Sequence, residues 1–202
     1  MISLETFQTH RHKIAFIQVL TPAREDLIKR TIDSVSGCKK AILHMYNATC
    51  PTFRQVVFRN SEEETVELAV KRTKLVRQLT DECTAKFGTQ FRYEYSPETF
   101  SQTEPDFAVQ ICEAVKAAWG RAGPAHDDRI IFNLPATVEI GPPNHYADLV
   151  SSWHRLQSSL NLTTHRSNIF APKSQRGKTY LSVSTLTMIE VPRIRTFEES
   201  SH

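Results

Sequence analysis

The fold of this chain is indicated first by the segment Ile14-Ala15-Phe16-Ile17-Gln18-Val19-Leu20 and by the residues directly after it. This short apolar run is rich in β-forming residues and predicts a buried strand. Thr21-Pro22 comes next, a helix-capping residue with proline at the first helical position, and the apolar residues then repeat at helical spacing as far as Val35. A strand that leads directly into an amphipathic helix is the building unit of a parallel α/β sheet.

The same unit occurs three more times. Strands are predicted at residues 41–46, 91–96 and 129–134. Each is followed by a predicted helix: one that begins at the capping box Ser61 to Glu64 and ends near Gly88, one that begins around Thr103-Glu104-Pro105-Asp106, and one over residues 144–160. Residues 47–60, which include Pro51, are predicted to form a long loop. Four consecutive β/α units favour parallel strands joined by right-handed crossovers.

Composition indicates an ordinary globular protein. The chain has 202 residues, 25 Lys+Arg and 22 Asp+Glu, so its formal charge is +3. This charge does not favour a nucleic-acid partner, and no apolar window is long enough to predict a membrane span. The four cysteines form no C-x-x-C pair and are interpreted as reduced thiols, and the polar residues 1–13 carry no secretory signal. Cytoplasm is the predicted compartment, with the mitochondrion left open.

Polar residues interrupt three of the predicted strands near their carboxyl ends. The second strand carries His44 and Tyr46. The third carries Arg92, Glu94 and Ser96 and then Glu98, and the fourth carries Asn133, Pro135 and Thr137 and then Glu139. Period two places each set on one face of its strand, at the end where α/β proteins bind ligands. The alternative interpretation is a set of satisfied polar residues that cap the next helix or bond to each other inside a barrel.

Five segments of the chain resemble one enzyme family. They are Gln18-Val19-Leu20-Thr21, Ala41-Ile42-Leu43-His44-Met45-Tyr46-Asn47, Val56-Val57-Phe58-Arg59, Arg92-Tyr93-Glu94-Tyr95-Ser96-Pro97-Glu98 and Phe132-Asn133-Leu134-Pro135-Ala136-Thr137-Val138-Glu139. In order and without large gaps, they resemble the 2-isopropylmalate synthases of fungi and actinobacteria over roughly residues 14–158. The resemblance implies an α/β fold, a (β/α)₈ TIM barrel. About four of its units are present in this chain, and a full barrel usually takes ~250 residues.

The resemblance also implies an activity. Members of the family are acyltransferases that condense acetyl-CoA with 2-oxoisovalerate, a Claisen-type step toward leucine, while a divalent metal such as Mg²⁺ holds the 2-oxo acid. By position, His44, Ser96 and Thr137 match residues that touch the oxo acid, and Glu98 matches the acidic residue near the substrate side chain. Tyr46 belongs to the same strand-end motif as His44. Acetyl-CoA and a 2-oxo acid are therefore the expected small-molecule partners.

The sequence departs from the family pattern where the metal would bind. The four strands resemble the third to sixth of the family barrel, so the Arg-Asp motif that ends the first strand is not found. The His-x-His motif of the seventh strand aligns with Thr163-Thr164-His165, which leaves His165 as the one candidate metal ligand. His10-Arg11-His12 precedes a strand instead of ending one, and is interpreted as a basic leader. No residue is assigned a catalytic role.

Two function classes remain open on these observations. The first is a 2-isopropylmalate synthase-like enzyme that serves leucine synthesis or supplies a leucine-like precursor for a fungal secondary metabolite or peptide toxin. The second is a truncated, inactive remnant that binds a 2-oxo acid weakly or pairs with an intact synthase. Residues 1–160 are predicted to form the partial barrel, and residues 161–202 a divergent, poorly ordered tail. Open sheet edges predict a homo-oligomer or pairing with another chain.

Overall fold

The sheet contains four parallel strands that lie side by side in chain order. The computed structural model describes residues 16–120, 130–138 and 140–159. The strands are β1 (Ile17–Pro22), β2 (Lys40–Ala48), β3 (Gln90–Glu98) and β4 (Ile131–Phe132), and each pairs in parallel with the next. The predicted order and direction of the strands are confirmed, and the fold is α/β.

A helix follows each strand. The helices are α1 (Glu25–Ser34), α2 (Glu62–Phe87), α3 (Pro105–Trp119) and α4 (Pro143–Ser159). The capping box that predicts the start of α2 is present, because the Ser61 hydroxyl accepts from the Glu64 N–H while the Glu64 carboxylate accepts from the Ser61 N–H. In the part of the chain that the structure describes, no helix is long and apolar enough to cross a membrane.

All four helices pack on the same face of the sheet. Alternate residues of β2 and β3, such as Leu43, Met45, Tyr93 and Tyr95, are fully buried there. They belong to one apolar cluster with residues from every helix, namely Ile28, Ile32, Val76, Ile111 and Trp153. Coverage on one face by successive crossover helices is the arrangement of a (β/α) barrel wall, whereas a doubly wound sheet carries helices on both faces.

Two predicted element boundaries are wrong. Thr21 and Pro22 do not begin a helix: both belong to β1, and α1 begins at Glu25 after Arg24. Proline is tolerated there because β1 pairs on one side only within the described residues and the Pro22 nitrogen faces away from β2. The N–H that bonds to the Tyr46 carbonyl is that of Ala23, so the proline removes no ladder bond. Of the predicted strand at residues 129–134, only Ile131–Phe132 is a strand, and position 129 lies outside the described residues.

The predicted loop at residues 47–60 contains a π-helical turn, Phe53–Phe58. The Arg54 side chain, which is 4% exposed, anchors this turn to the neighbouring helices. Its Nη2 lies 2.8 Å from Glu104 Oε1 and 3.2 Å from Glu62 Oε1, and its guanidinium lies 4.4 Å from the centre of the Phe107 ring. The carboxylates belong to the starts of α2 and α3, so one buried cation joins three elements. Sequence periodicity gives no signal for this contact.

Candidate functional site

The face of the sheet opposite to the helices is polar near the carboxyl ends of the strands. Parallel pairing aligns Leu20 with His44 and His44 with Glu94, and it aligns Tyr46 with Ser96. Residues aligned in this way share a face, so the polar residues of three strands project together. We call this surface the polar face, and its members used below are Gln18, His44, Tyr46, Glu94, Ser96, Glu98 and Asn133.

Ser96 is the centre of a hydrogen-bond network on the polar face. Its Oγ lies 2.6 Å from His44 Nε2, and it accepts a bond 2.8 Å long from Asn133 Nδ2. His44 and Ser96 are each 2% exposed. The network therefore joins β2, β3 and the end of β4 through two buried side chains and the partly buried Asn133. Buried polar groups are costly unless bonded, so these three residues stabilise each other's positions.

Gln18 and Glu94 complete the network behind His44. The Gln18 Nε2 lies 3.1 Å from His44 Nδ1 and donates to Glu94 Oε2 over 3.2 Å. Glu94 Oε1 also lies 3.4 Å from His44 Nδ1, with both side chains almost fully buried. One amide thus contacts both titratable groups of the cluster.

Burial favours the uncharged form of both groups, so His44 is neutral and Glu94 is only partly ionised around pH 7. Desolvation lowers the pKa of His44 from 6.5 to about 4, and desolvation raises the pKa of Glu94 from 4.5 to about 7. The two shifts favour the neutral form of each group, so desolvation outweighs the attraction that a charged pair would have at 3.4 Å. The contact is a polar pair with neutral histidine and not a salt bridge.

The remaining predicted residues lie at the rim where β3 ends. Glu98 is half-buried, and burial raises the pKa of its carboxyl. Thr99 follows in a left-handed conformation with φ of 61°, and its N–H donates to the Thr137 hydroxyl over 3.2 Å. Thr137 itself is exposed, and Tyr46 is partly exposed beside Ser96. The structure thus brings His44, Tyr46 and Ser96 together and places Glu98 and Thr137 at the adjoining rim.

Three members of the network were not among the predicted site residues: Gln18, Glu94 and Asn133. All three lie in segments that carry the family resemblance, and Glu94 and Asn133 belong to the period-two polar sets. What identifies them as members of one network is the register between strands, which aligns His44 with Glu94. The sequence of a single strand does not contain this information.

No group of three or more His, Cys, Asp or Glu side chains that could hold a metal ion occurs among the described residues. His44 and Glu94 contact each other, and the ring nitrogens of His44 face Gln18 and Ser96. This donor set does not fit a divalent cation, which takes several oxygen or imidazole ligands. The predicted ligand His165 and the motif His10-Arg11-His12 lie outside the described residues, as does Glu139.

Comparison with known proteins agrees with this architecture. Residues 4–170 match the HMGL-like family, and the chain belongs to that family of (β/α)-barrel proteins. The predicted resemblance over residues 14–158 is confirmed, and the family match extends beyond it at both ends.

The curated relatives are 2-isopropylmalate synthases. That of Schizosaccharomyces pombe is 54% identical over 134 residues, which are 66% of this chain and 22% of that protein. The synthase of Ralstonia nicotianae is 44% identical over 181 residues, 88% of this chain and 29% of that protein. The Saccharomyces cerevisiae synthase is 52% identical over 134 residues, 66% of this chain and 21% of that protein. The chain thus spans between a fifth and three tenths of the length of these relatives.

Proposed function

We propose that this chain forms the 2-oxo-acid-binding wall of a 2-isopropylmalate synthase-type acyltransferase. The observation that carries the proposal is the Ser96-centred network, in which hydroxyl, imidazole and amide groups from neighbouring strands meet at the carboxyl ends of a barrel-type sheet. The names of the relatives support the same reaction class. In that reaction the methyl carbon of acetyl-CoA loses a proton and bonds to the keto carbon of the 2-oxo acid, and water cleaves the thioester to release CoA.

The residues on the polar face suit the oxo acid. Ser96, Thr137 and Tyr46 offer hydroxyl groups that can bond its carboxylate or keto oxygen. His44 is neutral, so it acts on the site through hydrogen bonds and not through a charge. Half-buried Glu98 stands beside them at the end of β3 and is proposed to lie near the substrate side chain. We assign no general base among the described residues.

A divalent metal belongs to the proposal, but the described residues do not supply its ligands. His165 is the proposed ligand from this chain, and it lies outside the described residues. When bound, the metal would act as a Lewis acid on the keto oxygen.

The pathway we propose follows from the reaction. Condensation of acetyl-CoA with 2-oxoisovalerate leads to leucine, and the same step supplies a leucine-like precursor for a fungal peptide or other secondary metabolite. We propose the cytoplasm as the site of action and the mitochondrion as its alternative; one relative from Saccharomyces cerevisiae is named a mitochondrial 2-isopropylmalate synthase.

Binding and turnover of the full chain test the proposal separately. Ligand-observed NMR should detect 2-oxoisovalerate on the purified chain, and His44→Ala should abolish that signal while Glu63→Gln, an exposed change at the start of α2, should not. CoA release that requires both acetyl-CoA and the oxo acid, with Mg²⁺ present, would establish the enzyme. Binding without CoA release favours the non-catalytic remnant, and no binding at millimolar oxo acid overturns both the proposed function and a remnant that binds the oxo acid.

A further inference from the structure

The proton positions within the network decide what the Ser96 hydroxyl offers to a ligand. Ser96 Oγ contacts two nitrogens, His44 Nε2 and Asn133 Nδ2. The amide nitrogen of Asn133 only donates, so it fills one lone pair of Ser96 Oγ. His44 Nε2 either donates to Ser96 or accepts from it, and the choice depends on the tautomer of the ring.

Gln18 settles that choice. Its Nε2 has two hydrogens and lies within bonding distance of two acceptors, Glu94 Oε2 at 3.2 Å and His44 Nδ1 at 3.1 Å. Glu94 accepts the first hydrogen and thereby orients the amide toward the ring. The second hydrogen points to His44 Nδ1 at 3.1 Å, which is closer to that nitrogen than Glu94 Oε1 at 3.4 Å, so in this arrangement Nδ1 accepts and carries a lone pair. A neutral imidazole has one proton, and it is left on Nε2, 2.6 Å from Ser96 Oγ.

We infer that Gln18, oriented by Glu94, is a positioning residue that holds His44 with its proton on Nε2, so that the Ser96 hydroxyl proton is free to donate to an oxygen of the bound ligand. Both lone pairs of Ser96 Oγ are then occupied by His44 and Asn133. This inference rests on the proposed function and adds the direction of one hydrogen bond to it.

The consequence is a preference in ligand chemistry. A Ser96 that can only donate pairs with a keto or carboxylate oxygen, as in a 2-oxo acid. The ammonium group of the corresponding 2-amino acid only donates and cannot accept the Ser96 hydroxyl proton, so that buried polar contact would be left unmade. The network therefore discriminates between oxo acids and amino acids of the same side chain.

The tautomer of His44 is measurable without any ligand. Long-range ¹⁵N–¹H correlation spectra of the full chain with ¹⁵N-labelled histidine, assigned with the His44→Gln variant, distinguish a protonated ring nitrogen from an unprotonated one. At mildly alkaline pH we expect His44 Nε2 protonated and Nδ1 unprotonated. A proton on Nδ1 in the wild-type chain overturns the inference whatever the variants do.

Gln18→Leu tests the positioning role. Without the amide donor, His44 Nδ1–H can donate to Glu94, so we expect the tautomer to switch and the affinity for 2-oxoisovalerate to fall by about tenfold. Gln78→Leu is the matched control, because Gln78 is exposed on α2 and bonds only to Glu82 in the contacts described; it should change neither quantity. An unchanged tautomer and affinity in a folded Gln18→Leu chain would refute the role. The expected tautomer without any oxo-acid binding would instead refute the proposed function and leave the assignment of the proton standing.

Discussion

Glu94 and His44 respond to pH in opposite directions although they touch. The pKa of Glu94 is raised to about 7 by burial, so the folded chain keeps a proton that the unfolded chain releases, and its contribution to stability falls as pH rises from about 4.5 to about 7. The pKa of His44 is lowered to about 4 by burial, so between about pH 4 and pH 6.5 the unfolded chain binds a proton that the folded chain does not bind. The contribution of His44 to the free energy of unfolding therefore rises with pH over this range. The two contributions oppose each other over one window.

The Glu94→Gln variant should separate the contributions of Glu94 and His44 to the pH dependence of stability. With the carboxyl removed, the contribution of His44 is unopposed, and the free energy of unfolding should increase between pH 4 and pH 6.5 by roughly 3 kcal/mol relative to wild type. His44→Gln should show the opposite slope. Urea unfolding across this pH range measures both, and parallel profiles for wild type and the two variants would contradict the assigned shifts.

Ser96→Ala should destabilise the protein because it removes the atom shared by two nitrogens, one on buried His44 and one on partly buried Asn133. His44 Nε2 and Asn133 Nδ2 would lose their partner, which costs about 1–3 kcal/mol of unfolding free energy. Ser151→Ala is the control, because in the contacts described the exposed Ser151 hydroxyl bonds only to the Ala147 carbonyl within α4. This change should alter stability by less than about 0.5 kcal/mol. Equal urea midpoints for the two variants would show that the network adds nothing to stability.

At the scale of elements, the π-helical turn at Phe53–Phe58 depends on Arg54. Its buried guanidinium contacts Glu62, Glu104 and the ring of Phe107, whereas the apolar side chains at the end of the turn, Val56, Val57 and Phe58, are exposed. The turn is thus held through one side chain on its inner side. Segments with few buried contacts open locally at low free energy.

Arg54→Ala should therefore make the turn a protease target. Chymotrypsin cleavage after Phe58 should become about tenfold faster, as expected if local opening becomes easier by roughly 1.4 kcal/mol. Arg24→Ala provides the comparison, because Arg24 is exposed and pairs only with Asp26 in the contacts described. If both variants are cut at the wild-type rate, Arg54 does not hold the turn.

At the scale of the whole molecule, the described sheet has two open sides. β1 and β4 each pair with one neighbour only, and unpaired strand edges favour association with another chain. Apolar side chains lie exposed near the same ends of the strands: Leu20 is 44% exposed, Val138 50% and Ile140 58%. Edge and apolar surface together favour self-association.

We expect the purified chain to form dimers or larger species at micromolar concentration, as measured by light scattering coupled to size exclusion. Leu20→Lys places a charge on the exposed edge of β1 and should shift the distribution toward monomer, since charged residues block edge pairing. The exposed variant Glu63→Gln should leave it unchanged. A wild-type chain that is monomeric at these concentrations contradicts the expectation.

The linear order of residues is enough to define the elements and their succession. The apolar run at residues 41–46 predicts β2, the period-two alternation at residues 91–96 predicts β3, and the capping box at Ser61 predicts the start of α2. Such patterns depend on neighbours within one segment. Period two places His44 and Ser96 on single faces of their strands for the same reason. The family resemblance is likewise a property of the sequence alone, since residues at the strand ends carry it.

How those segments act on one another depends on the three-dimensional fold. The register that sets Glu94 beside His44, the reach of Gln18 to both, and the burial that moves their pKa values all depend on residues that lie 26 to 76 positions apart. The placement of Pro22 in an edge strand and the insertion of Arg54 between two helix starts have the same origin. Local patterns carry no information about pairing across such distances, since register is set by packing and backbone hydrogen bonds between strands.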